Sequence, residues 1–144
     1  MGRLARFLAL EADERRALLA AIGALAATRL LMWLLPHRAA MVRVQAAAAR
    51  PRVAPQSSGD AARIAIARAV TRAARVVPRA TCLVQALAGD WLCARARVPV
   101  ALEFGVSRGP RGIEAHAWLV SGDRIILGGA EAARFVVLAR GPQG

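Results

Sequence analysis

Lysine is absent. All 21 basic residues are Arg, and a bias toward Arg, Ala and Gly is what a GC-rich coding sequence produces. Aromatic residues are scarce at 4%, so no stacking platform accompanies the Arg residues, which are spread along the whole chain. The formal net charge of +12 would otherwise invite a nucleic-acid reading. Without clustering or aromatics it reads as a solvated basic surface that attracts an acidic peptide or partner, and no nucleic acid is expected. Cysteine is limited to Cys82 and Cys93. On a shared helix they would lie about 16 Å apart along the axis, whereas a disulfide needs Cα atoms within roughly 7 Å. A disulfide scaffold is excluded, and a reducing cytoplasm is the simplest compartment. Two Cys and two His at these spacings match no zinc pattern, so neither a metal nor a cofactor is expected. The start, Met1 to Leu10, lacks a clean apolar core followed by a small-residue cleavage site.

What is present is aliphatic. Hydrophobic residues make up 57% of 144, enough for one domain with a single core built from Ala, Leu and Val. Trp33, Trp91 and Trp118 are its bulky exceptions. The apolar stretch Ala17 to Leu35 approaches the length of a membrane span. Arg29 inside it, Gly23 and several Ala make it a buried or interfacial helix instead, with Pro36 ending it. A second helix is expected over Arg38 to Ala49. The segment Arg50 to Gly59, with Pro51 and Pro55, is the clearest loop. It separates an N-terminal helical segment, 1–50, from a second unit over 60–140.

Beyond the loop, Asp60 to Val77 reads as a helix with Ile64, Ala67 and Val70 or Thr71 on its apolar stripe, stopped by Pro78. Cys82 to about Arg95 reads as another, its stripe carried by Leu83, Leu87 and Trp91 or, one step over, by Val84, Ala88, Trp91 and Leu92. After Pro99 the period becomes two. Val100, Leu102, Phe104 and Val106 alternate with Ala101, Glu103, Gly105 and Ser107, which predicts a half-buried strand. A turn over Arg108–Gly112, strands over Glu114–Val120 and Arg124–Leu127 joined by Ser121-Gly122-Asp123, and a short strand over Phe135–Leu138 complete the pattern. Helices first and antiparallel strands last make an α+β layout.

Two residues carry chemistry. Thr81 as a helix N-cap places Cys82 at the first helical position, where unpaired N–H groups and the helix dipole favour a thiolate. The same N–H groups could hold an oxyanion. His116 lies mid-strand among Ala115, Ala117, Trp118 and Val120, where an imidazole needs partners for its nitrogens. A helix-start thiol facing a strand-borne His is what a cysteine nucleophile requires. His37, after Pro36, reads as structural, and Cys93, three turns along from Cys82, as a core residue.

The ordered set Arg79-Ala80-Thr81-Cys82-Leu83-Val84-Gln85-Ala86-Leu87-Ala88, Val98-Pro99-Val100, Phe104-Gly105-Val106, Glu114-Ala115-His116-Ala117-Trp118 and Ile126-Leu127-Gly128-Gly129 resembles the lasso-peptide leader peptidases, which are small transglutaminase-like cysteine proteases. The Leu34-Leu35-Pro36-His37-Arg38 segment is similar to theirs as well. The resemblance implies a transglutaminase-like or papain-like core, with a nucleophile-bearing helix packed on a small antiparallel sheet. It implies a Cys-His-acid site that cuts the leader from a precursor peptide, with Cys82 as nucleophile and His116 as base. It also implies a small leader-binding partner protein and a separate macrocyclase.

The acid does not transfer. Gly128 or Gly129 stands where the family often has Asp. Glu131 ranks first as a replacement, Asp123 lies at a turn tip, and Glu103 faces away if Phe104 packs inward; a backbone carbonyl or a water is the other way to orient the ring. Two further classes stay open. One is a non-catalytic scaffold that kept the fold and lost the acid. The other is a basic binder of membrane surface or nucleic acid that uses Ala17–Leu35 for peripheral contact.

Overall fold

The computed structural model describes residues 2–36, 38, 39, 42, 46 and 59–140. Helices α1 (Arg3–Leu8), α2 (Ala12–Leu34), α3 (Gly59–Ala73) and α4 (Cys82–Arg95) precede strands β1 (Ala101–Gly109), β2 (Gly112–Ser121), β3 (Arg124–Leu127) and β4 (Val136–Arg140). A single 3-10 turn, Ala132–Arg134, joins the last two strands. The sheet is antiparallel in the order β3-β2-β1-β4, and the layout is α+β. Arg38, Ala39, Val42 and Ala46 are helical. The rest of the helix expected over Arg38–Ala49, the Arg50–Ser58 loop and His37 lie outside the described residues.

Asp13 and Glu14 occupy the first turn of α2, where the helix dipole favours acids. One side of α2 buries Ala21, Ala24, Leu25 and Thr28; the other exposes Leu19, Leu30, Trp33 and Leu34. By length and composition alone the helix could cross a membrane, with mean hydropathy 1.9 and 22% of its most apolar window buried. Its inner side joins a core that runs through α3 and α4 into the sheet, including Leu25, Val70, Leu87, Leu102, Leu119 and Leu127. Helix α2 thus packs into the same core as α3, α4 and the sheet.

Two expectations need correction. The buried stripe of α3 is Ala69, Val70 and Ala73, with Ala62 and Ile66 partly buried beside them. Ile64 is 52% exposed. Both stripes have helical spacing, and the one rich in Ala is the one that joins the core shared with Ala21 and Ala24 of α2, where small residues permit close helix packing. α3 also ends before Pro78: Arg75 and Val76 donate to carbonyls three residues back, Arg72 and Ala73, which tightens the chain into turns.

Strand β1, in turn, is covered on both faces at its start rather than on one. Leu102, Ala117 and Leu119 face the helices. Ala101, Trp118 and Val120 form a second cluster with Ala132 and Phe135. The chain after β3 folds back over that outer face, a tertiary event that alternation along β1 could not reveal.

Candidate active site

The turn before α4 is tightly specified. Arg79 takes a left-handed backbone (φ 55°), an uncommon conformation for a side-chain-bearing residue. Its carbonyl accepts from Thr81 N at 2.9 Å, and Gln85 Nε2 reaches back to donate to Ala80 O at 2.7 Å. Thr81 is the N-cap, its hydroxyl accepting from Val84 N at 3.4 Å. Cys82 follows as the first helical residue. With Val84 capped and Gln85 N bonded to Thr81 O at 2.9 Å, the N–H groups of Cys82 and Leu83 lack intrahelical acceptors. They are positioned to stabilise negative charge at the helix tip. Cys82 is partly exposed and Cys93 buried.

β1 and β2 form a hairpin around Pro110-Arg111, and its register pairs Gly105 with His116 and Glu103 with Trp118. Directly paired residues share a face, so His116, Trp118, Gly105 and Glu103 lie together, opposite Ala117 and Phe104. Phe104 packs inward and Glu103 faces away from it, as expected; His116 lies on that same outer face. The Glu103 carboxylate accepts from Trp118 Nε1 at 2.7 Å and pairs with Arg140 Nε at 2.9 Å. Gly105 makes room: a Cβ there would come within 2.6 Å of Trp118 Cη2 and 2.9 Å of Phe135 Cβ.

His116 is held by rings and by one hydrogen bond. Its imidazole stacks on Phe135 at 5.0 Å and on Trp118 at 5.8 Å between centroids. Nε2 is 2.9 Å from the carbonyl oxygen of Gly128. The β2–β3 ladder covers only Leu119 to Ser121. Past β3 the chain turns at Gly128 (φ 80°), which aims that carbonyl at the ring. Because a carbonyl only accepts, Nε2 is the donor, and in the neutral ring the lone pair falls to Nδ1.

Glu131 is not brought to the ring. It precedes the 3-10 turn, 59% exposed, and its carboxylate pairs with Arg134 at 3.9 Å. Arg134 also reaches Glu114 at 3.4 Å, so this charge belongs to a surface network. Of the alternatives for orienting His116, the backbone carbonyl is the one found. Asp123 is exposed at the β2–β3 turn.

Cys82 and His116 line one cavity of about 360 Å³, together with Leu83, Phe104, Val106, Ala115, Ala117 and Leu138. Among the described residues no hydrogen bond joins the Cys82 sulfur to the ring, and no group of three or more His, Cys, Asp or Glu side chains is placed to hold a metal ion. Cys82 at a helix tip and His116 on the adjoining strand thus border one cavity, while the imidazole itself lies on the outer face with Trp118 and Phe135. A cysteine at a helix start next to a His-bearing antiparallel sheet is a layout that can host acyl transfer. The stacking of His116 on Trp118 and Phe135 had no counterpart among the sequence expectations, whereas a backbone carbonyl was among the expected ways to orient the ring. Only the Gly105–His116 register, readable once the Gly109–Gly112 turn is located, could have indicated which residues share its face.

The sequence model of the transglutaminase-like superfamily matches residues 24–140, and the chain belongs to that superfamily. The superfamily includes cysteine proteases. Comparison with curated proteins and with solved structures gives no match.

Proposed function

We propose that the chain is a cysteine peptidase that removes the leader from a ribosomally made lasso-peptide precursor. The observation that carries the chemistry is the shared cavity of Cys82 and His116. The leader-peptidase assignment rests on the ordered motif resemblance from Arg79 to Gly129. Cys82 gives its proton to Nδ1 of His116 and attacks the scissile carbonyl; the S–C bond forms to give a tetrahedral oxyanion, and the C–N bond breaks as that intermediate collapses. His116 passes a proton from Nδ1 to the leaving amine. Water then adds to the thioester, gives a proton back to His116 and expels the thiolate. The N–H groups of Cys82 and Leu83 stabilise the oxyanion in both halves. The reading includes a small leader-binding protein that presents the precursor and a macrocyclase that takes the product, with the exposed side of α2 as the place for any peripheral membrane contact.

The test uses the precursor peptide encoded beside this gene, with its leader-binding partner, and mass spectrometry of the products. Wild type should release the leader, and Cys82→Ala should release none while keeping its circular dichroism and melting temperature. Undiminished cleavage by Cys82→Ala removes the proposal.

A non-catalytic scaffold is the second reading. It is favoured by one observation: the ring's partner is a carbonyl, which stabilises an imidazolium less than a carboxylate does. Iodoacetamide at neutral pH separates the two. An activated Cys82 is alkylated well ahead of the buried Cys93; equal, slow labelling supports the scaffold.

A further inference from the structure

Besides Cys82, Gly105 and His116, the residues around the cavity carry hydrocarbon side chains. Its walls are Leu83, Phe104, Val106, Ala115, Ala117 and Leu138, without a charged side chain among them. Its volume of about 360 Å³ falls within the range of ligand pockets, roughly 300–1,000 Å³. Ala115 and Ala117 keep part of the lining shallow, whereas Phe104 and Leu138 supply the bulk.

A second observation concerns β4. It is an edge strand, and Val136, Val137 and Leu138 are 69%, 51% and 66% exposed. Edge strands ordinarily carry charge or proline to discourage pairing. Here three successive aliphatic residues face water, and Leu138 belongs to both the exposed run and the wall of the Cys82 cavity.

We propose that this cavity is the specificity pocket of the enzyme, and that it seats an apolar side chain on the residue whose carbonyl Cys82 attacks. The proposal rests on the reading of Cys82 as nucleophile. An aliphatic or aromatic side chain entering the pocket leaves water against Leu138 and Phe104, and each buried methylene contributes favourably. A carboxylate or guanidinium there loses its hydration and finds no partner in the walls, which is strongly unfavourable. Leu138 and Ala115 are the specificity residues: Leu138 borders the pocket from the edge strand, and Ala115, exposed on β2, lies at its mouth.

The test captures Cys82 irreversibly, so it needs no turnover. The intact chain is treated separately with the chloromethyl ketones of N-acetyl-leucine and N-acetyl-glutamate. Labelling of Cys82 is followed by mass spectrometry, and each rate is divided by that of glutathione with the same reagent. The leucyl reagent should react at least about tenfold faster than the glutamyl one, the scale on which apolar pockets discriminate. Leu138→Glu should bring the two normalised rates together, and Ala115→Leu should slow the leucyl reagent selectively, with melting temperatures checking that both variants fold. Rapid labelling of Cys82 with equal normalised rates overturns the pocket and leaves the nucleophile standing. So does a leucyl preference that neither substitution changes. Labelling of Cys82 no faster than that of Cys93 by either reagent overturns the nucleophile and the pocket together.

Discussion

Nε2 of His116 donates to the carbonyl oxygen of Gly128 across 2.9 Å, so the acceptor in this position is a backbone atom and not a side-chain acid. The bond selects the Nε2–H tautomer and leaves Nδ1 as the basic nitrogen. Orientation of the ring therefore depends on how the backbone turns at residue 128.

Gly128→Ala should damage both fold and site. The residue has φ 80°, and an added Cβ would sit 3.1 Å from Ala117 O and Trp118 Cβ. A side chain held in that region costs about 1–3 kcal/mol. Denaturant unfolding should show that loss; under the proposed function, the rate of leader release should fall further than the stability change explains, because the carbonyl is displaced from the ring. Wild-type activity in a destabilised Gly128→Ala variant would mean that the bond does not serve catalysis.

Gly105→Ala tests the stacked rings. The new methyl must displace Trp118 or Phe135, and overpacking of this kind costs about 1–3 kcal/mol. A lowered unfolding midpoint with a changed tryptophan emission spectrum is expected. An unchanged midpoint would show that the outer face is loosely packed.

Glu103 is a structural partner of Trp118. Its side chain is 12% exposed and bonded to both the indole and Arg140. Glu103→Ala leaves the buried indole N–H without its acceptor, at a cost of about 1–3 kcal/mol. Glu103→Gln keeps an acceptor and loses only the charge, so its destabilisation should be smaller. Equal effects in equilibrium unfolding would contradict this order.

Removal of the Thr81 hydroxyl should be felt modestly. Thr81→Ala should destabilise by about 0.5–1 kcal/mol, the lower part of the range for lost caps, since the bond to Val84 N is long at 3.4 Å. Thr81→Ser should match wild type. A loss equal to that of the Ala variant would show that the methyl group, not the hydroxyl, matters there.

Much of the site was legible locally. The N-cap, the start of α4 at Cys82 and its end at Arg95 all followed from residues within a few positions of one another, because capping and helix propensity are short-range effects. Strand β3 was legible for the same reason: its bounds, Arg124–Leu127, follow a glycine turn. The stripe of α3 was not. Ile64 and Val70 both fit a helical period, and only contact with α2 decided between the faces available. Glu131 was an attractive acid by sequence distance, but no local rule describes where a loop directs its side chain.

Taken alone, the sequence determined the order of elements, the α+β layout and the placement of Cys82 at a helix tip and His116 on a strand, since hydrogen-bond geometry and side-chain periodicity act over a few residues. Tertiary structure decided which residues surround the ring. The return of the chain after β3 brought Gly128 O and Phe135 onto the face of His116, and the hairpin register put Glu103 under Trp118. Those contacts join residues twelve or more positions apart, and their geometry depends on how the sheet and its covering loop pack as a whole.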